Sequence, residues 1–236
     1  MIDYKDALRL TLENVTTCGP VQVPTAAARG LVLAQDVVAR IASPPFNKAA
    51  MDGYAVRSED VAEMPAELEV IGEVFAGQPP ELALGPGQAA VITTGAPVPE
   101  GADMVVMVED TERTDGGKVR VLEPSGTNIC AAGEDVRAGD TVLRAGQGLT
   151  PLRIGVAAAA GYGQLSAYRR PTGALLCTGN EVVEPGQDLP AGKIFSSNGP
   201  MLSSLMAPVC RDLTYLGIVG DEEEELAAGL RKGLES

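Results

Sequence analysis

FNKAAMDGYAV, residues 46–56, is the stretch on which the organisation of the chain turns. Pro44 and Pro45 stiffen the approach to it, Gly53 frees the local backbone, and Tyr54 and Val56 begin a strand. Asp52, the one acid in the stretch, is therefore predicted to be held on a shaped turn. Such an acid either braces the loop as an Asx-type residue or contributes to chemistry, and the local sequence leaves both open.

Downstream of the turn, GYAVR, LEVIGEVF, QAAVITT, DMVVMVED, KVRVLE and DTVLRAG are short apolar runs divided by Gly, Pro and Asp clusters. Strands at that spacing suggest a small barrel or sandwich. Upstream, Ala7, Leu8, Thr11, Leu12 and Val15 recur at helical spacing, with Asp3 as N-cap and Gly19-Pro20 as the stop. A helical turn over residues 26–29 ends at Gly30, and LVLAQDVVA then alternates as one half-buried strand.

At Thr150-Pro151 the period returns to that of a helix, which Gly161 ends, and LSAYRR reads as a strand. From Pro171 the order is strand (GALLCTG), helix (199–207), strand (LTYLGIV) and helix. The last helix is expected to open on Asp221, with Glu224 completing a capping box and Leu226, Leu230 and Leu234 as its apolar face. This alternation begins a parallel α/β layer, which two strands alone cannot bury.

A chain of 236 residues has room for one large or two to three small domains. With no Trp and three Phe, its cores must be built from Ala, Val, Leu and Ile. The formal charge of −14 argues against nucleic acid or an anionic membrane as partner, so an anionic substrate needs a local cationic patch or a metal. The four cysteines form no CxxC pair, and the absence of His excludes Ser-His-Asp and Cys-His chemistry along with the commonest transition-metal ligand. Carboxylates with a hard cation remain. Neither a leader-like start nor an apolar run of membrane length is present, which makes the cytoplasm the expected compartment.

Three further segments are candidates for chemistry. In VITTGAPVPEGADMVVMVED a strand runs into Thr93, Thr94 and Gly95, where hydroxyls and free amides either hold an oxyanion or form a plain β-turn. In AAGEDVRAGD the adjacent Glu134 and Asp135 are either a solvated turn or part of a hard-metal site. LLCTGNEVVEPGQ is a strand entering a Gly turn that bears Glu181, the place where α/β sheets usually bind ligands.

Taken in order, SPPFNKAAMDGYAVR, ITTGAPVPEGADMVVMVED, GEDVRAGD, CTGNEVVEPGQ, SSNGPML and LGIVGDEEE resemble the molybdopterin molybdenumtransferases, the MoeA and gephyrin E-domain family. The resemblance runs over nearly the whole chain. It implies insertion of molybdate into adenylylated molybdopterin with release of AMP, assisted by Mg²⁺, in a homodimer. It also implies a mixed α and β multidomain fold: an elongated α/β first domain (1–43 and 143–170), an inserted β-rich, barrel-like domain (44–142), and the start of a three-layer α/β molybdopterin-binding domain (171–236). Carried over residue by residue, it implies catalytic roles for Asp52, Thr94, Asp135 and Glu181. Substrate contacts fall to Lys48, Gly95, Thr178, Gly179 and Asn198, and Mg²⁺ ligation to Glu181 and Asp221. The implied partners are molybdopterin-AMP and molybdate, with a molybdoenzyme or another cofactor-biosynthesis protein as recipient.

The chain departs from the family pattern at several of these places. Asn47 and Lys48 stand where the family's FDNSAMDGYA has an acid and an amide, and Cys130 stands where NIR or NVR has arginine. Asn180 replaces the acid of TGDEL, and Ser196 that of DSN. A missing Arg removes a bidentate oxyanion clamp, and neutralised acids weaken a Mg²⁺ site, with Lys48 offering a partial replacement charge. The family's GGVSxG and PGKP segments and its fourth domain have no counterpart in these residues. The alternative expectation is therefore a catalytically defective or truncated paralogue, acting as a molybdopterin-binding or dimerisation scaffold.

Overall fold

The structure, a computed structural model, describes residues 2–123 and 126–235. The chain divides into two compact units. One comprises Met1–Asp36, Leu143–Ala158 and Tyr162–Ser236, the other Val37–Val142 with Ala159–Gly161. Helices and strands are mixed, as expected from the sequence.

The second unit is built on a six-stranded mixed sheet. Its order is Met104–Met107, Gly53–Val56, Gln88–Ile92, Ala66–Val74, Lys118–Val121 and Thr111–Thr114. Only the Ala66–Val74/Gln88–Ile92 pair is parallel. All four residues of Gly53–Val56 are buried, because both faces of the sheet carry a core. Tyr54, Val56, Ala89, Val106 and Val119 belong to one apolar cluster and Ala55, Ala90, Ile92 and Val105 to the other. These are the small aliphatic cores that the shortage of aromatic residues requires, and they set the turn preceding Gly53 at the end of a fully packed strand.

In the first unit, helix α1 (Tyr4–Asn14) starts as predicted, with the Asp3 carboxylate accepting from Lys5 N at 3.1 Å. No residue of α1 is buried, however, and Leu12 and Val15 are 65% and 61% exposed. Gln164–Tyr168 pairs antiparallel with Pro20–Pro24 on one side and Val32–Leu33 on the other. LVLAQDVVA is not the single strand its alternation suggests. It breaks into Val32–Leu33 and Val37–Val38, since Asp36 Oδ1 accepts from Ala145 N at 2.7 Å in the bend between them. Helix α2 (Pro151–Ala159) begins where Thr150 Oγ1 accepts from Arg153 N at 3.3 Å, and Gly161, at φ 91°, lies just beyond its end.

Thr172–Thr178 and Asp212–Val219 then form a parallel pair, connected through helix α3 (Asn198–Met206) and followed by helix α4 (Glu223–Leu234). Both helices pack on both strands. The expected capping box fails: α4 is capped at Glu222 without a side-chain bond, because Asp221 is engaged elsewhere. The expected leucine face is only partly covered: Leu226 is half-buried. Leu230 and Leu234 are 55% and 88% exposed, whereas Gly229 and Gly233 face the sheet. A Cβ on Gly229 would stand 2.8 Å from Leu176, and one on Gly233 would stand 3.2 Å from Leu216. Glycine permits this close approach of helix to sheet, and Leu230 and Leu234 flank the two glycines around a cavity shared with Ala174, Leu176 and Leu216.

Candidate functional site

In the second unit, the strand Gln88–Ile92 runs into a turn whose closing bond is Ala96 N to Thr93 O at 2.9 Å, with Gly95 at φ 82°. That φ is the position a type II turn reserves for glycine. Asp52 lies at the exposed end of the neighbouring strand, and its Oδ1 accepts from both Thr94 N (2.6 Å) and Thr94 Oγ1 (2.8 Å). The amide bond and then the hydroxyl bond hold the Asp52 carboxyl below its ordinary range, outweighing the small effect of burial. Gly53 is required for a different reason from backbone freedom: a Cβ there would fall 1.9 Å from Val106 O on the adjacent strand.

The same turn is tied to the segment bearing Lys48. Gly95 N donates to Ala49 O at 2.8 Å, Ala49 N donates to Ala96 O at 2.9 Å, and Lys48 bridges to Pro97. Lys48–Ala49 pairs in turn with Ile129–Cys130. The Cys130 thiol is hydrogen-bonded to Glu134, which, with burial, pushes its pKa up against the opposing pull of Lys48. Glu134 also accepts from Ala131 N at 3.0 Å. Asp135 is exposed, and its amide donates to Ser43 O at 3.0 Å. Thus Asp52 and Thr94 are hydrogen-bonded to each other, and Gly95, in the same turn, is bonded to Ala49. Lys48 and Asp135 instead bracket Cys130, with Glu134 as the acid that engages the thiol.

In the first unit, Thr172–Thr178 ends in the turn of Gly179, at φ 137° with its amide donating to Val219 O at 3.2 Å. Asn180 and Asp221 bind reciprocally: Asn180 N to Asp221 Oδ2 at 3.1 Å, and Asp221 N to Asn180 Oδ1 at 3.3 Å. Lys193 Nζ donates to Asn180 O. Glu181 follows directly, exposed, with its main-chain O accepting from Ile194 N at 2.9 Å. Thr178 and Asn198 are exposed. Buried Ser196 serves the start of α3, where its Oγ accepts from Gly199 N at 3.3 Å. Tyr215 Oη donates to Glu184 at 2.7 Å. Burial first, then bonds to Glu184 and Cys177, keep the phenol protonated well above its usual range.

Among the described residues, no group of three or more His, Cys, Asp or Glu side chains is placed to hold a metal. Glu181 and Asp221 on adjoining turns therefore fit Mg²⁺ only in the mode in which substrate phosphates and waters supply most of the ligands. Sequence reading missed Lys193, Glu184 and Tyr215, whose partners lie 13 and 31 residues away and leave no local pattern.

Residues 2–161 match the family model for the MoeA N-terminal region, domains I and II. Molybdopterin molybdenumtransferase 2 of Mycobacterium tuberculosis is 39% identical over 233 residues, 97% of this chain and 58% of that protein. The molybdopterin molybdenumtransferase of Synechococcus elongatus is 36% identical over 237 residues, 97% of this chain and 59% of that protein. A crystal structure of a molybdopterin biosynthesis MoeA protein from Pyrococcus horikoshii superposes with a TM-score of 0.84 at 34% identity, covering 98% of this chain and 63% of that one. The chain thus spans somewhat more than half the length of these relatives. No helix among the described residues is long and apolar enough to cross a membrane.

Proposed function

The chain belongs to the MoeA family, and from that premise we propose that it serves molybdenum cofactor biosynthesis, as part of a protein that inserts molybdate into adenylylated molybdopterin and releases AMP. The observation that carries the reading is the Asp52–Thr94 pair, 2.6 and 2.8 Å apart, on two motifs that the sequence resemblance had joined. A carboxylate held at a depressed pKa is a poor general base at neutral pH. Asp52 acts instead as a fixed charge and acceptor: one oxygen orders the Thr94 turn, and Oδ2, without a hydrogen-bond partner among the described residues, is available to substrate donors. Releasing AMP by cleaving the phosphoanhydride of adenylylated molybdopterin, and placing molybdate on its dithiolene sulfurs, both depend on positioning and on neutralising oxyanions, which suits a set of residues with no histidine.

In this reading Lys48 supplies positive charge for the oxyanion, and the Gly179–Glu181 turn, with Thr178 and Asn198, contacts substrate. Glu181 and Asp221 would hold Mg²⁺, which would supply charge to neutralise substrate phosphate. The domain assignment goes with it: 1–43 with 143–170, the insert 44–142, and the start of a third domain from 171. A homodimer in the cytoplasm and delivery of the product to a molybdoenzyme complete the proposal.

One observation favours a non-catalytic scaffold instead. Cys130, where the family pattern has arginine, has its thiol engaged by Glu134 and offers no oxyanion clamp. The discriminating experiment measures molybdate-dependent AMP release from adenylylated molybdopterin alongside pterin binding. Release that requires molybdate supports the transferase. Tight pterin binding without any AMP release would leave the scaffold.

A further inference from the structure

Four of the chain's 18 basic side chains meet at one place. Arg29, Arg169, Arg170 and Arg211 line a pocket of about 280 Å³, with Val21 and Leu31 on its apolar wall and no acid in its lining. All six belong to the same compact unit. The four arginines arrive from three segments: the loop after the 3₁₀ turn Thr25–Ala27, the residues just past Gln164–Tyr168, and the entry to Asp212–Val219.

The backbone holds these arginines in place. Arg169 N donates to Gly19 O at 3.3 Å, and Arg211 N donates to Pro171 O at 2.8 Å. Arg170 Nη2 donates to Arg29 O at 3.2 Å. Gly30, at φ 76°, leaves the space this needs, since a Cβ there would stand 2.7 Å from Arg170 Nη2. Of the four, only Arg211 has a carboxylate partner among the described residues, Asp212 Oδ2 at 2.6 Å from its Nε. Arg170 Nε is buried with no hydrogen-bond partner among them. Buried donors are ordinarily satisfied, and three guanidinium groups without carboxylate partners repel one another, so the arrangement favours binding of an anion.

The geometry points to an oxyanion pocket for a small phosphorylated molecule. Planar guanidinium forks match phosphate oxygens in pairs, and the net charge of −14 makes this cluster a local exception that attracts what the rest of the surface repels. A volume of about 280 Å³ admits a diphosphate or a nucleoside monophosphate, whose apolar part would lie against Val21 and Leu31. None of these residues has a role in the transferase reading, so that reading survives if the pocket proves inert.

Calorimetric titration of the whole protein with inorganic diphosphate and with AMP tests the assignment. Saturable binding that weakens with salt is expected, with Arg29→Ala and Arg169→Ala each losing about tenfold in affinity. Arg231→Ala, the same charge change on α4, should bind as the parent does. Unchanged melting temperatures would show that the two pocket variants remain folded. Absence of binding, equal affinity in the pocket variants, or an equal loss in Arg231→Ala would overturn the proposal. Preference for a phosphate-free Glu-rich peptide over diphosphate would overturn it in favour of an acidic protein partner.

Discussion

Asp52 Oδ1 accepts both the amide and the hydroxyl of Thr94, a residue 42 positions further along the chain. One carboxylate oxygen thereby joins the end of a packed strand to the Gly95 turn, making the acid a structural brace and a charged surface group at once. Asp52→Ala removes the acceptor for both bonds and should lower stability, read as a lower midpoint of denaturant unfolding. Asp52→Asn keeps an oxygen acceptor but not the charge that the depressed pKa favours, and should lose less than Asp52→Ala. Equal losses in the two variants would mean that charge, and not the hydrogen bonds, holds the turn.

The pH dependence of this brace follows from the depressed pKa of Asp52. A carboxyl whose folded pKa lies below its unfolded value contributes stability that is fully present above the unfolded value, near 3.8, and is lost as pH falls through the folded one. The Thr94 amide proton should therefore keep its hydrogen-bonded chemical shift through pH 4 and titrate only below about 3.8. A midpoint above that value would show that the Thr94 bonds do not favour the ionised form.

Cys130 should be the slow thiol in its neighbourhood. Its bond to Glu134 raises its pKa, so the thiolate fraction near neutrality is small. Glu134→Gln removes the negative charge while Lys48 remains, lowering the thiol pKa and speeding alkylation by iodoacetamide several-fold. Mass spectrometry of the modified peptide reads the rate. An unchanged rate would place control of the thiol in its burial alone.

Gly53→Ala should be severely destabilising although the residue is small and its φ is ordinary. The added Cβ would meet the Val106 carbonyl at 1.9 Å, and a backbone atom in a two-sided core cannot yield. A loss of about 3 kcal/mol or more is expected, measured by thermal unfolding. A tolerated substitution would mean that the Gly53–Val56 and Met104–Met107 strands separate more easily than their packing implies.

Much of this fold is legible because its strands alternate and its turns carry Gly, Pro and Asp. Each of the apolar runs in the β-rich segment contains an observed strand. Thr111–Thr114 escaped because TERT is polar, and an edge strand needs no apolar face. The failures elsewhere share a cause: a short-range motif lost to a distant partner. Asp221 matches a capping box in sequence but is taken by Asn180, 41 residues away. Asp36 breaks an alternating strand to bind Ala145, 109 residues away. At the candidate site, the Asp52 and Thr94 motifs could be noticed singly, but their union is a tertiary bond that no local pattern records. The Lys193–Asn180 and Tyr215–Glu184 contacts were invisible for the same reason.

The most direct test compares the rate of molybdate-dependent AMP release from adenylylated molybdopterin by wild-type protein and by Asp52→Asn. Loss of the charge with an oxygen acceptor retained should slow release by about 10²-fold at a temperature where both proteins are folded. Equal rates in the two proteins would contradict the account, leaving Asp52 as a turn residue and nothing more.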